Sequence, residues 1–341
     1  MDMLHLLAEA QPRLLQKMQT PALVGVIALL VTLLTTPLVQ KWAIKKGAVD
    51  DPKSDARRIH KEPIPRWGGI AIFAGFVVSL VLVLPFVSER TIPMFLVGML
   101  VMGLAVVVMG AYDDLYQFNP KVQALFLLGV GVAIQFFFKE GSERVLIAGT
   151  VTPWDNVWRS FDWAAIPLTA IFIFIITKTM DTIDGVDGLA AGIAAIGAGT
   201  LALISAKWNQ APIPHIAAAI AGSSIGFLRH NYNPARIFMG TGGAQFLGFS
   251  LACLSIVSAT KSVAAIALIV PLFLFGVPLV DAVQVIIRRK LSGQPITQAD
   301  KRHLHHQLLN KGLSQKQTVW VLYMFAAMLC GAILVAVKLR G

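Results

Sequence analysis

The sequence predicts an all-α integral membrane protein: about ten transmembrane helices, with an eleventh as the alternative, in a single polytopic domain. Three observations carry this prediction. Mean hydropathy is +0.70 and only 14% of residues are charged, against about 25% in soluble domains. Apolar stretches recur along the whole chain, each near the roughly 20 residues a helix needs to cross a hydrocarbon core of about 30 Å. The unusual polar residues gather between these stretches, in segments that alternate spans would place on one membrane face. Helices are the default because lipid cannot satisfy an open backbone.

The expected spans are 22–42, 69–87, 94–112, 122–138, 163–178, 188–206, 211–228, 243–259, 262–287 and 318–338. The ninth is long and holds Pro271 and Pro278, so a break there is the source of the eleventh crossing. Residues 1–20 mix polar and apolar side chains around Pro12 and lack the apolar core of a cleavable signal. They are expected as a short extracytoplasmic interfacial helix, with 22–338 as the transmembrane core. In the loop 139–162, Val145–Ile147 and Thr150–Thr152 around Gly149 suggest a small hairpin. Cys253 and Cys330 both fall inside spans and imply no disulfide framework.

The net charge of +11 raises the question of nucleic acid, and its distribution answers no. Of 29 lysines and arginines, 19 lie in the odd-numbered loops, chiefly the first and ninth. This asymmetry predicts cytoplasmic odd loops and both termini outside. Phe136, Phe137, Phe138, Trp154, Trp158 and Trp163 then fall at the outer interface. Transporters place ionisable groups near the midplane on broken helices. Here Asp281 and Lys178 lie near span ends, which disfavours transport.

The odd loops carry the chemistry. Asp113 and Asp114 are adjacent carboxylates at the bilayer edge, costly without a cation or a bound proton. Lys121 follows on the same loop, in reach of a phosphate. Asp181, Asp184 and Asp187 recur every three residues around Gly185 and Gly188. Such a set repels itself without a cation, and oxygen ligands suit Mg2+, which takes one or two carboxylates plus phosphate. A calcium loop is the rival, but its twelve-residue pattern is missing. Gly240, Gly242 and Gly243 precede a span and offer backbone N–H groups to an anion. His303, His305 and His306 stand beside Asp300, Lys301 and Arg302, where the surrounding bases favour a diphosphate clamp over zinc. Arg57, Arg58, His60, Lys61 and Arg66 make the first loop basic, which also suits anionic headgroups.

In order, these segments resemble the polyprenyl-phosphate N-acetylhexosamine-1-phosphate transferase superfamily, which includes MraY, WecA and TagO. The resemblance covers about 25–310 and rests on Arg57 to Gly69, the pair Asp113–Asp114, "DGVDGLAAG" from Asp184, "NYNPARIFMG" from Asn231, and the run from Arg288 to "HLHH" at His306. The last of these, with "PITQAD" before it, is closer to the WecA and TagO branch.

The resemblance implies Mg2+-dependent transfer, with Mn2+ as the alternative ion. A sugar 1-phosphate, N-acetylglucosamine 1-phosphate or a related N-acetylhexosamine, passes from a UDP-sugar to undecaprenyl phosphate. That is the first membrane step of a cell-wall or surface glycopolymer such as teichoic acid or lipopolysaccharide. It further implies a prokaryotic plasma membrane location, cytoplasmic active-site loops and a homodimer. Catalytic roles carry over to Asp113, Asp114, Asp184, Asp187, His303, His305 and His306. Substrate contacts carry over to Arg57, His60, Lys61, Lys121, Asn231, Arg236, Asp300 and Arg302. The metal set is Asp113, Asp114, Asp181 and Asp184.

The chain departs from the family at two places. Asp181 stands where the family usually has Asn, and Thr241 where it has an Asp ligand after "MG"; Ala244 also replaces a common Ser. A carboxylate that has moved from one loop to the next accounts for both. A muramoyl-pentapeptide transferase, a catalytically altered scaffold and a transporter are the alternatives.

Overall fold

In the computed structural model, the described residues are 3–51, 62–87, 92–151, 157–260, 275–291 and 303–339. They form helices α1 (Met3–Lys46), α2 (Gly68–Val87), α3 (Met94–Tyr116), α4 (Pro120–Ala133), α5 (Ala165–Ile183), α6 (Leu189–Lys207), α7 (Ile213–Asn231), α8 (Gly240–Thr260), α9 (Gly276–Leu291), α10 (Leu304–Asn310) and α11 (Gln315–Leu339). Two small antiparallel pairs complete it: β1 (Val49–Asp50) with β2 (Ile64–Pro65), and β3 (Gly149–Val151) with β4 (Trp158–Ser160). The protein is an all-α, multi-pass membrane protein.

Among the described residues, seven segments, within α1, α2, α3, α5, α6, α8 and α11, are long and apolar enough to cross a bilayer. The apolar helices at Pro120–Phe136 and Gly276–Val285 are shorter. Helix α7 coincides with the seventh expected span, yet it falls outside the seven and carries His215, Ser223 and Ser224 in its buried part. It can do so because α1, α2 and α6 pack around it. The ninth expected span lies partly in 261–274, outside the described residues, as do Pro271 and the proposed break.

Two local expectations are corrected. The separate helix expected before residue 20 is absent as such: α1 runs unbroken from Met3 through Pro12 and Pro21. The hairpin exists, but Thr150 and Val151 pair with Arg159 and Trp158. Val145 is instead fully buried, and the Ile147 N–H donates to Thr169 Oγ1 at 2.9 Å.

Helix α8 is the innermost, buried along nearly its whole apolar length between α3 and α5. Helices α1 and α11 lie outside, with Leu23, Leu34, Leu38, Met324, Met328 and Val335 exposed as lipid-facing side chains would be. Phe136, Phe138, Trp158 and Trp163 are exposed at the β3–β4 end, whereas Phe137 packs on Gly98. Apolar tails give helices little hydrophobic reason to associate, so close backbone packing must hold them. A Cβ on Gly110 of α3 would stand 2.2 Å from Gly242 Cα, and one on Gly69 of α2 would stand 2.3 Å from Gly243 Cα. Gly242 and Gly243, two of the three glycines expected to face an anion, therefore seat α8 backbone-to-backbone against α3 and α2.

Candidate active site

The ends of α1, α3, α5 and α7 meet the starts of α2, α6 and α8 at one end of the bundle. Backbone bonds weld the connections. Gly68 and Gly69 N–H donate to Phe238 and Met239 carbonyls at 3.0 and 2.8 Å, and the Phe238 N–H donates to Pro65 at 2.8 Å. Trp67 Nε1 donates to the Ala111 carbonyl at 3.0 Å. The first, third, fifth and seventh loops thus form one polar surface.

Asp114 lies at its centre, in the last turn of α3. Its Oδ1 accepts Arg66 Nη1 at 3.3 Å and the Thr241 N–H at 3.2 Å. Its Oδ2 is buried with no hydrogen-bond partner among the described residues. Arg66 also pairs with Asp50, so β1 and β2 place this guanidinium between two carboxylates. Gly240 approaches closely: a Cβ there would stand 2.2 Å from Asp114 Oδ2, and its φ is +74°. The start of α8 therefore faces the protein's own carboxylate, in keeping with the positive end of a helix.

Asp113 is used differently. Its Oδ1 accepts the Phe118 N–H at 2.9 Å and Gln123 Nε2 at 2.8 Å, which closes the end of α3. From Gln123 a chain of bonds continues across the site. Lys178 Nζ donates to Gln123 Oε1 at 3.0 Å and to Asp181 Oδ2 at 2.6 Å. Gln245 Nε2, on the first turns of α8, donates to that same Asp181 oxygen at 3.3 Å. The fifth and seventh loops converge here, but the Oδ2 of Asp181 is already committed to a lysine.

Asp184 ends α5 and is half-buried, with no hydrogen-bond partner among the described residues. Desolvation pushes its carboxyl well above the usual range; Asp181, Asp114 and Asp187 push the same way, and Arg66 opposes them. Asp187 is a scaffold group: its Oδ2 accepts Asn233 Nδ2 at 2.9 Å and the Ala235 N–H at 3.0 Å. Asn231, expected to touch substrate, is buried. Its amide is spent on the Gly188 N–H and the Ile237 carbonyl, both at 3.0 Å, so it joins two loops instead.

The histidines sit against this surface. His303 Nδ1 lies 2.7 Å from Asp281 Oδ2, whose other oxygen accepts the Leu304 N–H. His305 is buried and stacks parallel to His303, with ring centroids 5.7 Å apart; the His306 ring centroid is 4.3 Å from it, tilted by 45°. Its Nε2 would stand 2.8 Å from a Cβ on Gly185, which brings the histidine loop onto the "DGVDG" turn. Burial, then His306, lowers the His305 pKa to about 3 despite Asp281.

Lys121 and Arg236 are exposed at the rim. Arg57, His60, Lys61, Asp300 and Arg302 lie outside the described residues. Sequence reasoning missed the parts played by Arg66, Gln123, Lys178, Gln245 and Asp281. Lys178 and Asp281 had a signal, as lone charges at apolar span ends. Gln123 and Gln245 had none.

Residues 96–259 match glycosyl transferase family 4. The chain is 38% identical over 299 residues to the probable undecaprenyl-phosphate N-acetylglucosaminyl 1-phosphate transferase of Bacillus subtilis (strain 168), covering 88% of this chain and 80% of that one. The chain belongs to glycosyl transferase family 4. Other relatives include the decaprenyl-phosphate N-acetylglucosaminephosphotransferase of Mycobacterium tuberculosis, 31% identical over 336 residues with 89% and 79% covered. The undecaprenyl-phosphate alpha-N-acetylglucosaminyl 1-phosphate transferase of Yersinia pestis is 26% identical over 300 residues, with 86% and 78% covered. As a family 4 protein the chain falls in the polyprenyl-phosphate N-acetylhexosamine-1-phosphate transferase superfamily, in its WecA and TagO part.

Proposed function

We propose that this protein transfers N-acetylglucosamine 1-phosphate from UDP-N-acetylglucosamine to a polyprenyl phosphate at the cytoplasmic face of a bacterial membrane. The observation that carries the reading is the placing of Asp114 and Asp184 at one end of an apolar helix bundle, in a chain so similar to named transferases of this kind. A lipid phosphate can reach that end while its tail stays in the bilayer. The lipid phosphate oxygen bonds to the β-phosphorus, the α–β bridging bond breaks, and UMP leaves with the bridging oxygen.

Mg2+ fits the residues present. Among the described residues Asp114 Oδ2 is a buried oxygen with no partner, and Asp184 is a carboxyl whose charge is disfavoured first by desolvation and then by its acidic neighbours. Among the described residues no three ligating side chains form a closed metal cage. Mg2+ does not require one, since it takes one or two carboxylates and completes its shell with water and phosphate oxygens. Asp114 and Asp184 would hold it, and it would neutralise charge on the diphosphate. Arg66 holds Asp114 in place, and His305 presents a neutral ring beside the Gly185 turn. Phosphoryl transfer of this kind depends mainly on positioning and charge.

The test uses purified protein, undecaprenyl phosphate, Mg2+ and UDP-N-acetylglucosamine labelled in the sugar and, separately, in the α-phosphate. Sugar label should enter the lipid fraction and α-phosphate label should leave as UMP. No lipid-linked label from this donor, with label from UDP-muramoyl-pentapeptide instead, would assign the other branch.

A further inference from the structure

The acidic site contains its own cation. Lys178 is the one lysine within α5, and its ammonium meets Asp181 one helical turn on at 2.6 Å. The ammonium also donates to Gln123 Oε1 at 3.0 Å, and Gln123 Nε2 bonds Asp113 Oδ1 at 2.8 Å. Gln245 of α8 donates to the same Asp181 oxygen. One lysine therefore links two carboxylates of the site, directly and through an amide, and draws α3, α4, α5 and α8 together. The Asp181 side chain is only 17% exposed and that of Lys178 39%, so water screens the pair only in part.

We propose that Lys178 is a positioning residue that holds Asp181 back from the divalent cation and so sets how tightly the acidic site binds metal. The inference rests on the metal site described above. Asp114 and Asp184 keep oxygens for an incoming ion, whereas the Oδ2 of Asp181 is occupied by the ammonium and the Gln245 amide. A tightly held divalent ion would also hold the diphosphate product. An internal counter-charge keeps metal and product exchangeable, at the expense of metal affinity.

The charges make the test a four-protein cycle. Lys178→Gln removes the ammonium from Asp181 and leaves only the Gln245 amide on its Oδ2, so the site loses a positive charge and the carboxylate is released toward the metal position. Asp181→Asn leaves an ammonium facing the metal position. Lys178→Gln with Asp181→Asn restores the original net charge. Mn2+ binding to the purified protein, read by electron paramagnetic resonance without substrates, should tighten about tenfold in Lys178→Gln, ~1.4 kcal/mol. It should weaken in Asp181→Asn and return to within about threefold of the native value in the double variant, the non-additivity expected of a contacting pair. Thermal melting of each variant excludes unfolded protein from the comparison. Mn2+ affinity that is unchanged or weaker in folded Lys178→Gln overturns the proposal while leaving the metal site standing. No Mn2+ bound by the native protein or any variant overturns the metal site, and the proposal with it. Should Lys178→Gln fail to fold, Lys178→Arg decides: it keeps the charge and should keep native Mn2+ affinity, and a tenfold change there counts against the proposal.

Discussion

Replacing Asp114 by Asn separates the charge of this side chain from its shape. In the native site Oδ1 accepts Arg66 Nη1 at 3.3 Å and the Thr241 N–H at 3.2 Å, while Oδ2 is buried without a partner. Asn retains the accepting oxygen and puts an amide nitrogen where Oδ2 was, so both bonds survive with less charge assistance. A hydrogen bond to a charged group contributes about 1.5–3 kcal/mol and a neutral one about 1, so roughly 0.5–2 kcal/mol is lost per bond. Removing a buried negative charge recovers a desolvation cost of several kcal/mol. The two effects oppose each other, and the unfolding free energy should shift by no more than about 1 kcal/mol. Transfer has no such compensation. Removing one group that stabilises charge in the transition state typically slows turnover about 100- to 1,000-fold, ~2.7–4 kcal/mol. Single-turnover transfer of labelled sugar phosphate at saturating Mg2+, with a melting curve on the same preparation, measures both quantities. A folded Asp114→Asn protein with near-native transfer would refute the assignment. A large loss of stability would refute the balance of charge and desolvation argued for its surroundings.

Three further outcomes are expected. Gly185→Ala should slow transfer at least tenfold, because the new methyl would stand 2.8 Å from His305 Nε2 and push that buried, stacked ring off the turn; equal transfer in mutant and native protein would separate the histidine loop from the site. His305 is held neutral, its pKa lowered from its ordinary 6.5 to about 3. The unfolded chain therefore binds a proton that the folded one refuses, so stability contributed by this group is full above about 6.5 and is lost as pH falls toward 3. Melting temperature against pH should flatten over that window in His305→Gln, and an unchanged slope would contradict it. For orientation, a cysteine placed at Ser142 should react with an impermeant thiol reagent in intact cells and one placed at Ser292 should not; the reverse pattern would put the site on the outer face.

Much of this architecture was legible because membrane spans leave a one-dimensional trace. Apolar length located the helices, and carboxylates at their ends located the site, since charge is tolerated there and not at mid-bilayer. The converging loops followed from counting spans. What stayed hidden depended on partners distant in the chain. Nothing in "DGVDG" or "NYNP" tells that Asp187 and Asn231 spend their polar atoms on one another's loops. Asp181 read as a metal ligand and Lys178 only as a charge near a span end; only the folded helix shows the two paired. The hairpin strand was misplaced because β-branched composition at 145–147 suited a strand as well as it suited packing against α5.

The contact of Gly110 with Gly242 has a consequence for the membrane around the protein. Bilayers differ in thickness, and helices answer by tilting or sliding past one another, at a cost of fractions of a kcal/mol per Å of mismatch. Side-chain contacts can re-form after such a slide. Two backbones in contact cannot, because a slide of one helical turn brings Val106 of α3 or Phe246 of α8, each with a Cβ, to the place of a glycine. Helices α3 and α8 must therefore ride through thick and thin bilayers as one piece. Asp114 and Thr241 travel with them, and the spacing across the reaction centre is insulated from the lipid composition of its host.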